Sequence, residues 1–332
     1  MEKDGAVVGG VDYWLRWQVP VCALVFLVPT LVSLILIRKR RRASSGHLLH
    51  HHHLWIPCWR NLHPRWLLYY RALACLTMTF LLYQIVQSFG FLVFFFYTQW
   101  TFALVVVYFA LATIISARGC SIYSTTTTFA QSQSEQHKDR FSKNNSEEEE
   151  TKDDQSKGKQ GKGFIMYQSQ VPIDQQAGFW GNLMLSIYQT CAGAVMLTDI
   201  VFWCLLLPFM SGEHFQLTLL IAYMHSVNAV FLILDSALNS LEFSWFGIVY
   251  FILWSSSYVV FQWALHVCCF TWWPYPFLDL SNPWAPMWYL ALALVHIPCY
   301  GLYVLLVKGK NSIFSKIVPH AYLRISVEKK QN

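Results

Sequence analysis

The chain has 332 residues, 55% apolar, 17% aromatic and only 13% charged, with a positive mean hydropathy. A soluble domain carries about 25% charged residues, so a water-soluble globular protein is excluded, and the apolar stretches reach the roughly 20 residues that a bilayer-spanning helix needs. The formal net charge of +6 is confined to the segments between those stretches, a pattern of membrane orientation rather than of a nucleic-acid partner.

In chain order the apolar stretches predict seven spans, at 19–37, 66–88, 91–116, 180–209, 215–238, 245–268 and 287–307, hence an all-α, polytopic transmembrane helix bundle. The first ends in "RKRRR" (Arg38 to Arg42), a stop-transfer pattern, and lacks a small-residue cleavage site, so it reads as a retained anchor. Lys and Arg gather after span 1, between spans 3 and 4 and after span 7, with Lys3 and Arg16 on the other side. The positive-inside rule then puts the N-terminus outside or in a lumen and the C-terminus in the cytosol, in a plasma membrane or endomembrane. The chain divides into an anchor span with a basic cytosolic loop (1–65), spans 2 and 3 (66–118), a hydrophilic loop (119–176), spans 4 to 7 (177–307) and a cytosolic tail (308–332).

The loop at 119–176 is rich in Ser, Gln, Lys and Glu and is expected to be disordered, as a linker or a docking segment. Its Asn144-Asn145-Ser146 fits the glycosylation pattern but falls on the cytosolic side. The run His50 to His53 lies beside basic residues with no thiol or carboxylate arranged around it, so no metal site is assigned there. None of the nine cysteines forms a Cys-x-x-Cys pair. Cys268 and Cys269 read as buried free thiols, and Cys58 and Cys120 sit where palmitoylation is conceivable, unmodified thiols being the expectation. Trp66, Trp100, Trp180, Trp245, Trp272, Trp273, Trp284 and Trp288 mark span ends as an aromatic belt, and "TWWPYPFLDLSNPWAPMW" reads as a rigid cap in the headgroup layer.

Ionisable groups inside a membrane cost about 2.5–3.5 kcal/mol each on insertion scales and are functional candidates by default. Asp199, His225 and His296 lie roughly 15 Å below the outer boundary at about 1.5 Å per residue. His266 is near the outer end of its span and Asp235 near the cytosolic end. In "AYMHSVNAVFLILD" (222–235), the spacing of His225, Asn228 and Asp235 predicts one helix face turned into the bundle. Such a stripe serves either an active site or interhelical packing. Thr98 and Thr101 in "FYTQWTFAL" could equally bond to carbonyls one turn back.

Together "AYMHSVNAVFLILD", "FYTQWTFALVVVYF" and "TWWPYPFLDL" resemble the androgen-induced and androgen-dependent membrane proteins and the broader group containing the fly protein rolling stone. The resemblance spans roughly 66–307 and rests on Met224-His225 with Asp235 ten positions after the His, on Thr98, and on Trp273-Pro274-Tyr275-Pro276-Phe277-Leu278. The hydrolase branch of that family cleaves fatty-acid esters of hydroxy fatty acids with a threonine nucleophile and a histidine. The resemblance therefore implies Thr98 as nucleophile and His225 as its base, acting on a lipid ester without metal or cofactor. Asn228 or Asp199 would orient the ring, in the manner of a triad's third member. Gln99-Trp100 after Thr98 departs from the hydrolase branch and is closer to the Thr-Asn-Trp of rolling stone, which is associated with cell fusion.

Three function classes follow. The chain is a threonine-nucleophile ester hydrolase within the membrane, or a non-catalytic scaffold in trafficking or membrane remodelling with unknown protein partners. The minor option is a metal, haem or transport site built from His225, His266, His296 and Asp199, against which no His-x-x-x-His pair appears on any span. A receptor is disfavoured because span 3 does not end in Asp-Arg-Tyr and span 7 has no Asn-Pro-x-x-Tyr.

Overall fold

The computed structural model describes residues 11–43, 51–142, 178–210 and 218–323. Among them seven helical segments are long and apolar enough to cross a membrane, and they follow the expected spans. Five are continuous: α1 (Gln18–Ala43), α2 (Pro64–Phe89), α3 (Tyr97–Ser142), α6 (Ile248–Cys268) and α7 (Ala285–Ile317). α4 (Phe179–Ile200) runs into a π-helical turn, Val201–Leu206, and the short helix Leu207–Met210. α5 is broken into α5a (Leu219–Met224) and α5b (Val227–Leu238). The chain is thus an all-α, multi-pass integral membrane protein.

α4 is the central helix, packed against α3, α5b, α6 and α7, while α1 lies outside against α6 and α7. The placement follows from "TCAGAV", where Thr190 to Val195 are all buried. Apolar burial drives no association between helices already in lipid, so close packing through small residues takes its place. A Cβ on Gly193 would overlap the ring of Phe251 on α6. Gly193→Val is accordingly expected to cost about 1–3 kcal/mol, as overpacking does, read as a lowered denaturation midpoint in detergent.

Local signals set the ends of α2. His63 caps it, its Nδ1 accepting from the Arg65 N–H at 3.2 Å, and Pro64 opens it where no N–H partner is needed. Gly90, at φ 72°, closes it, its N–H donating to Val86 O at 2.8 Å. Phe91–Phe95 then form a 3₁₀ turn, so span 3 begins at Tyr97 rather than at residue 91.

The largest departure from expectation is at the other end of α3. The helix does not give way to an irregular loop at residue 119 but continues to Ser142. A span that has already paid for nucleation extends at the cost of one residue per added hydrogen bond, so polar composition alone does not stop it. The rest of that loop, with Asn144, lies outside the described residues.

At the basic end, bounded by the C-termini of α1 and α7, residues 57–59 pair with Asn239 and Tyr322 through two isolated bridges. Cys58 is buried there and donates to Ala237 O at 3.2 Å. Burial pushes its thiol up to about 11, which leaves it a poor nucleophile for acylation. Cys268 and Cys269 are free as expected, but exposed rather than buried. At the opposite end Trp272, Trp284 and Trp288 are exposed in the manner of a belt. Trp100 and Trp273 instead turn inward, Trp100 packing on Trp254 and Phe261 of α6 and bonding to Phe94 O at 2.9 Å, and Trp273 supporting the cap through the Tyr13 hydroxyl at 3.1 Å.

Candidate functional site

Two buried polar clusters lie along α5, and they differ in one physical respect. The cluster near the basic end is almost fully hydrogen-bonded. Arg71, on α2, is completely buried and pairs through Nε with Asp235 Oδ1 at 2.9 Å. Its Nη1 donates to Leu54 O and Ser116 Oγ, both at 2.8 Å. Asp235 Oδ2 accepts from the Tyr108 hydroxyl at 2.5 Å and from Asn239 Nδ2 at 2.7 Å. Beside it the Ser236 hydroxyl lies between those of Tyr188, at 2.6 Å, and Tyr303, at 2.5 Å. This cluster clamps α2, α3, α4, α5b and α7 together. A buried carboxylate is tolerable when paired and bonded in this way. Asp235 is thereby engaged in the bundle's framework.

The second cluster surrounds the break in α5. His225 and Ser226 leave helical geometry (φ −99°, ψ 17° and φ −143°, ψ −40°), so His225 is not on a continuous face with Asn228 and Asp235. Asn228 and Asp235 do share the buried face of α5b, but the expected single stripe is interrupted at its first member. The π-helical turn of α4 lies against the break. The Phe202 ring stacks on the imidazole of His225 at 3.6 Å and 1°, and Trp203 Nε1 donates to His225 O at 2.9 Å. Irregular backbone is tolerated at membrane depth only where protein buries it or where it lines a cavity. Single π turns inside α-helices recur at functional sites.

The polar side chains at this break are poorly satisfied. His225 Nδ1 and Gln99 Oε1 are buried without a hydrogen-bond partner, and the Asn228 amide and Asp199 carboxyl face each other with Nδ2 and Oδ2 otherwise unpartnered. Asn228 Oδ1 accepts from the Ala229 N–H at 2.8 Å, which fixes its amide the other way, toward Asp199. Asp199 Oδ1 accepts from Thr198 at 3.3 Å, and Gln99 Nε2 reaches Met224 Sδ at 3.2 Å. Neither Asn228 nor Asp199 bonds to the imidazole; the Phe202 ring sets its plane.

Thr98 is buried in the first turn of α3 and lies against the Tyr275 hydroxyl, which also accepts from the Tyr97 N–H at 3.2 Å. The cap thus folds down onto the start of α3. α3 and α5b run in the same direction, with Tyr108 bonded to Asp235 and Gln99 to Met224. Those two contacts put Thr98 and Thr101 level with the break. Among the described residues no hydrogen bond joins Thr98 to His225. The Thr101 hydroxyl lies against that of Tyr97 one turn back, and the bond to a carbonyl is not made.

The remaining histidines go elsewhere. His266 stacks on Trp273 at 4.3 Å, beside Tyr13 and Trp14. His296 bonds to Ser255. The four groups considered for a metal or haem are therefore not gathered, and among the described residues no three His, Cys, Asp or Glu side chains are placed to hold a metal ion. Sequence reasoning missed Arg71, the π turn and the break. The available signal was opposite charge: a lone Arg in span 2 and a lone Asp in span 5 are the usual makings of an intramembrane pair. No protein-family model, curated protein or solved structure matches the chain.

Proposed function

We propose that the chain is an intramembrane hydrolase of lipid esters, with Thr98 as nucleophile and His225 as base, its basic end facing the cytosol. The observation that carries the reading is the concentration of unpaired buried polar atoms at the break in α5, since buried groups left without partners call for an explanation such as a ligand. In this reading the imidazole takes the hydroxyl proton as Oγ attacks the ester carbon, the usual activation of a weak hydroxyl nucleophile. The Val227 and Asn228 amides open α5b at the positive end of that helix, ahead of those of Ala229 and Val230, which are bonded to Asn228 Oδ1 and Ser226 O, and suit a developing oxyanion. Substrate entry would exchange the Tyr275 contact of Thr98 for one with His225; catalytic hydrogen bonds are often absent or long before substrate binds. The three segments resembling the androgen-induced family support the same assignment.

The contact of Thr98 with Tyr275 favours a second reading, a non-catalytic scaffold in which Thr98 anchors the cap. A fluorophosphonate probe separates the two. The hydrolase reading expects an adduct mapped to Thr98 in purified protein, absent in Thr98→Ala and lost in His225→Ala at undiminished expression. Absence of labelling at Thr98 in well-folded wild type would remove Thr98 as a nucleophile and leave it as an anchor of the cap.

A further inference from the structure

Ser255 on α6 and His296 on α7 form a serine–histidine pair that the Thr98 reading does not use. His296 Nδ1 lies 2.6 Å from Leu292 O, and its Nε2 lies 2.8 Å from Ser255 Oγ. A carbonyl can only accept, so the ring proton sits on Nδ1. In the neutral imidazole Nε2 then presents a lone pair, and the Ser255 hydroxyl must donate to it. Having spent its one proton, Ser255 Oγ accepts from the Tyr97 hydroxyl at 2.8 Å. The chain of bonds thus runs in one direction, Tyr97 to Ser255 to His296 to Leu292 O. A nucleophile bonded to a base that a further group orients is the arrangement that activates a serine.

Both side chains are half-buried. α6 and α7 touch each other little, α1 packs against both, and Thr30 on α1 donates to the neighbouring Ser256 at 2.7 Å. Depth restricts what could reach the pair. Ser255 lies about 10 Å along α6 from its start at the basic end, and His296 about 16 Å along α7 from the opposite end. The pair therefore sits well inside a hydrocarbon layer of about 30 Å. A lipid whose ester adjoins a charged headgroup keeps that carbonyl at the layer's boundary. An ester of two apolar chains does not.

We propose that Ser255 is a second nucleophile, with His296 as its base, acting on neutral acyl esters that lack a charged headgroup. Ser255 Oγ bonds to the acyl carbon as its proton passes to His296 Nε2. The carbon–oxygen bond to the alcohol breaks as that proton is handed to the leaving oxygen. Water repeats the sequence on the acyl-serine, releasing the acid and restoring both residues.

The test uses the full chain in nanodiscs, a long-alkyl fluorophosphonate and mass-spectrometric mapping of the adduct. The expected result is an adduct on Ser255 in wild-type protein, unchanged in Thr98→Ala. It should form about a hundredfold more slowly in His296→Gln, the lower end of what a positioned base contributes. In the same nanodiscs a long-chain wax ester should be hydrolysed, with the activity lost in Ser255→Ala, while phosphatidylcholine is spared. An adduct on Thr98 alone would overturn this proposal and leave the Thr98 reading standing; one on Ser255 alone would do the reverse. No adduct on either residue of folded wild type would overturn both, and cleavage of phosphatidylcholine alone would overturn the substrate class. Mapping on the wild type decides even if a variant fails to fold.

Discussion

Arg71→Met is expected to destabilise the protein by about 3–5 kcal/mol, the usual cost of removing one partner of a buried ion pair. Arg71 and Asp235 are both fully buried, so deleting the cation leaves a carboxylate in the bundle with only the Tyr108 and Asn239 donors. Two further acceptors, Leu54 O and Ser116 Oγ, lose their donor at once. The companion variant Arg71→Met/Asp235→Leu removes both charges and should recover most of the loss, because an apolar replacement of a whole buried pair is often neutral. Chemical denaturation in detergent, followed by tryptophan fluorescence, measures all three. A loss below about 1 kcal/mol for Arg71→Met would mean that the pair is solvated and does not clamp the helices.

His225→Phe is expected to lower ester hydrolysis, and labelling at Thr98, by about 10²- to 10⁴-fold, the range for loss of a general base. Phenylalanine keeps a flat ring for the stack on Phe202, and the bond from Trp203 goes to the backbone carbonyl, which the substitution retains. The variant therefore removes the imidazole nitrogens with little change to packing. Initial rates on a long-chain hydroxy-fatty-acid ester in mixed micelles would show the loss. Because Ser255 and His296 form a separate pair, wax-ester cleavage should persist in this variant. Undiminished hydrolysis of both substrates would remove His225 from the chemistry.

The spans were legible because hydropathy and length are local properties that the bilayer demands of each helix separately. What was not legible depends on neighbours. The break at His225 and Ser226 involves no proline or glycine, and "AYMHSVNAVFLILD" has an unbroken helical period. It is sustained by tertiary partners, Trp203 holding the carbonyl that the helix no longer bonds. Asp235 read as one end of a functional stripe because its partner, Arg71, lies on another span. Ser255 and His296 are unremarkable singly, and only the packing of α6 beside α7 makes them a pair. The length of α3 escapes composition for the opposite reason: composition is local, whereas a helix continues from what precedes it.

The most direct test of whether the break in α5 is a working site or a packing seam is the unfolding free energy of His225→Phe beside wild type. Removing a buried polar atom that has no partner should be neutral or stabilising, and sites kept for function are often where stability is sacrificed. The result expected is a stability equal to or above that of wild type. A loss of more than about 1 kcal/mol, the net worth of a formed hydrogen bond, would show the imidazole bonded as packing glue and contradict the account.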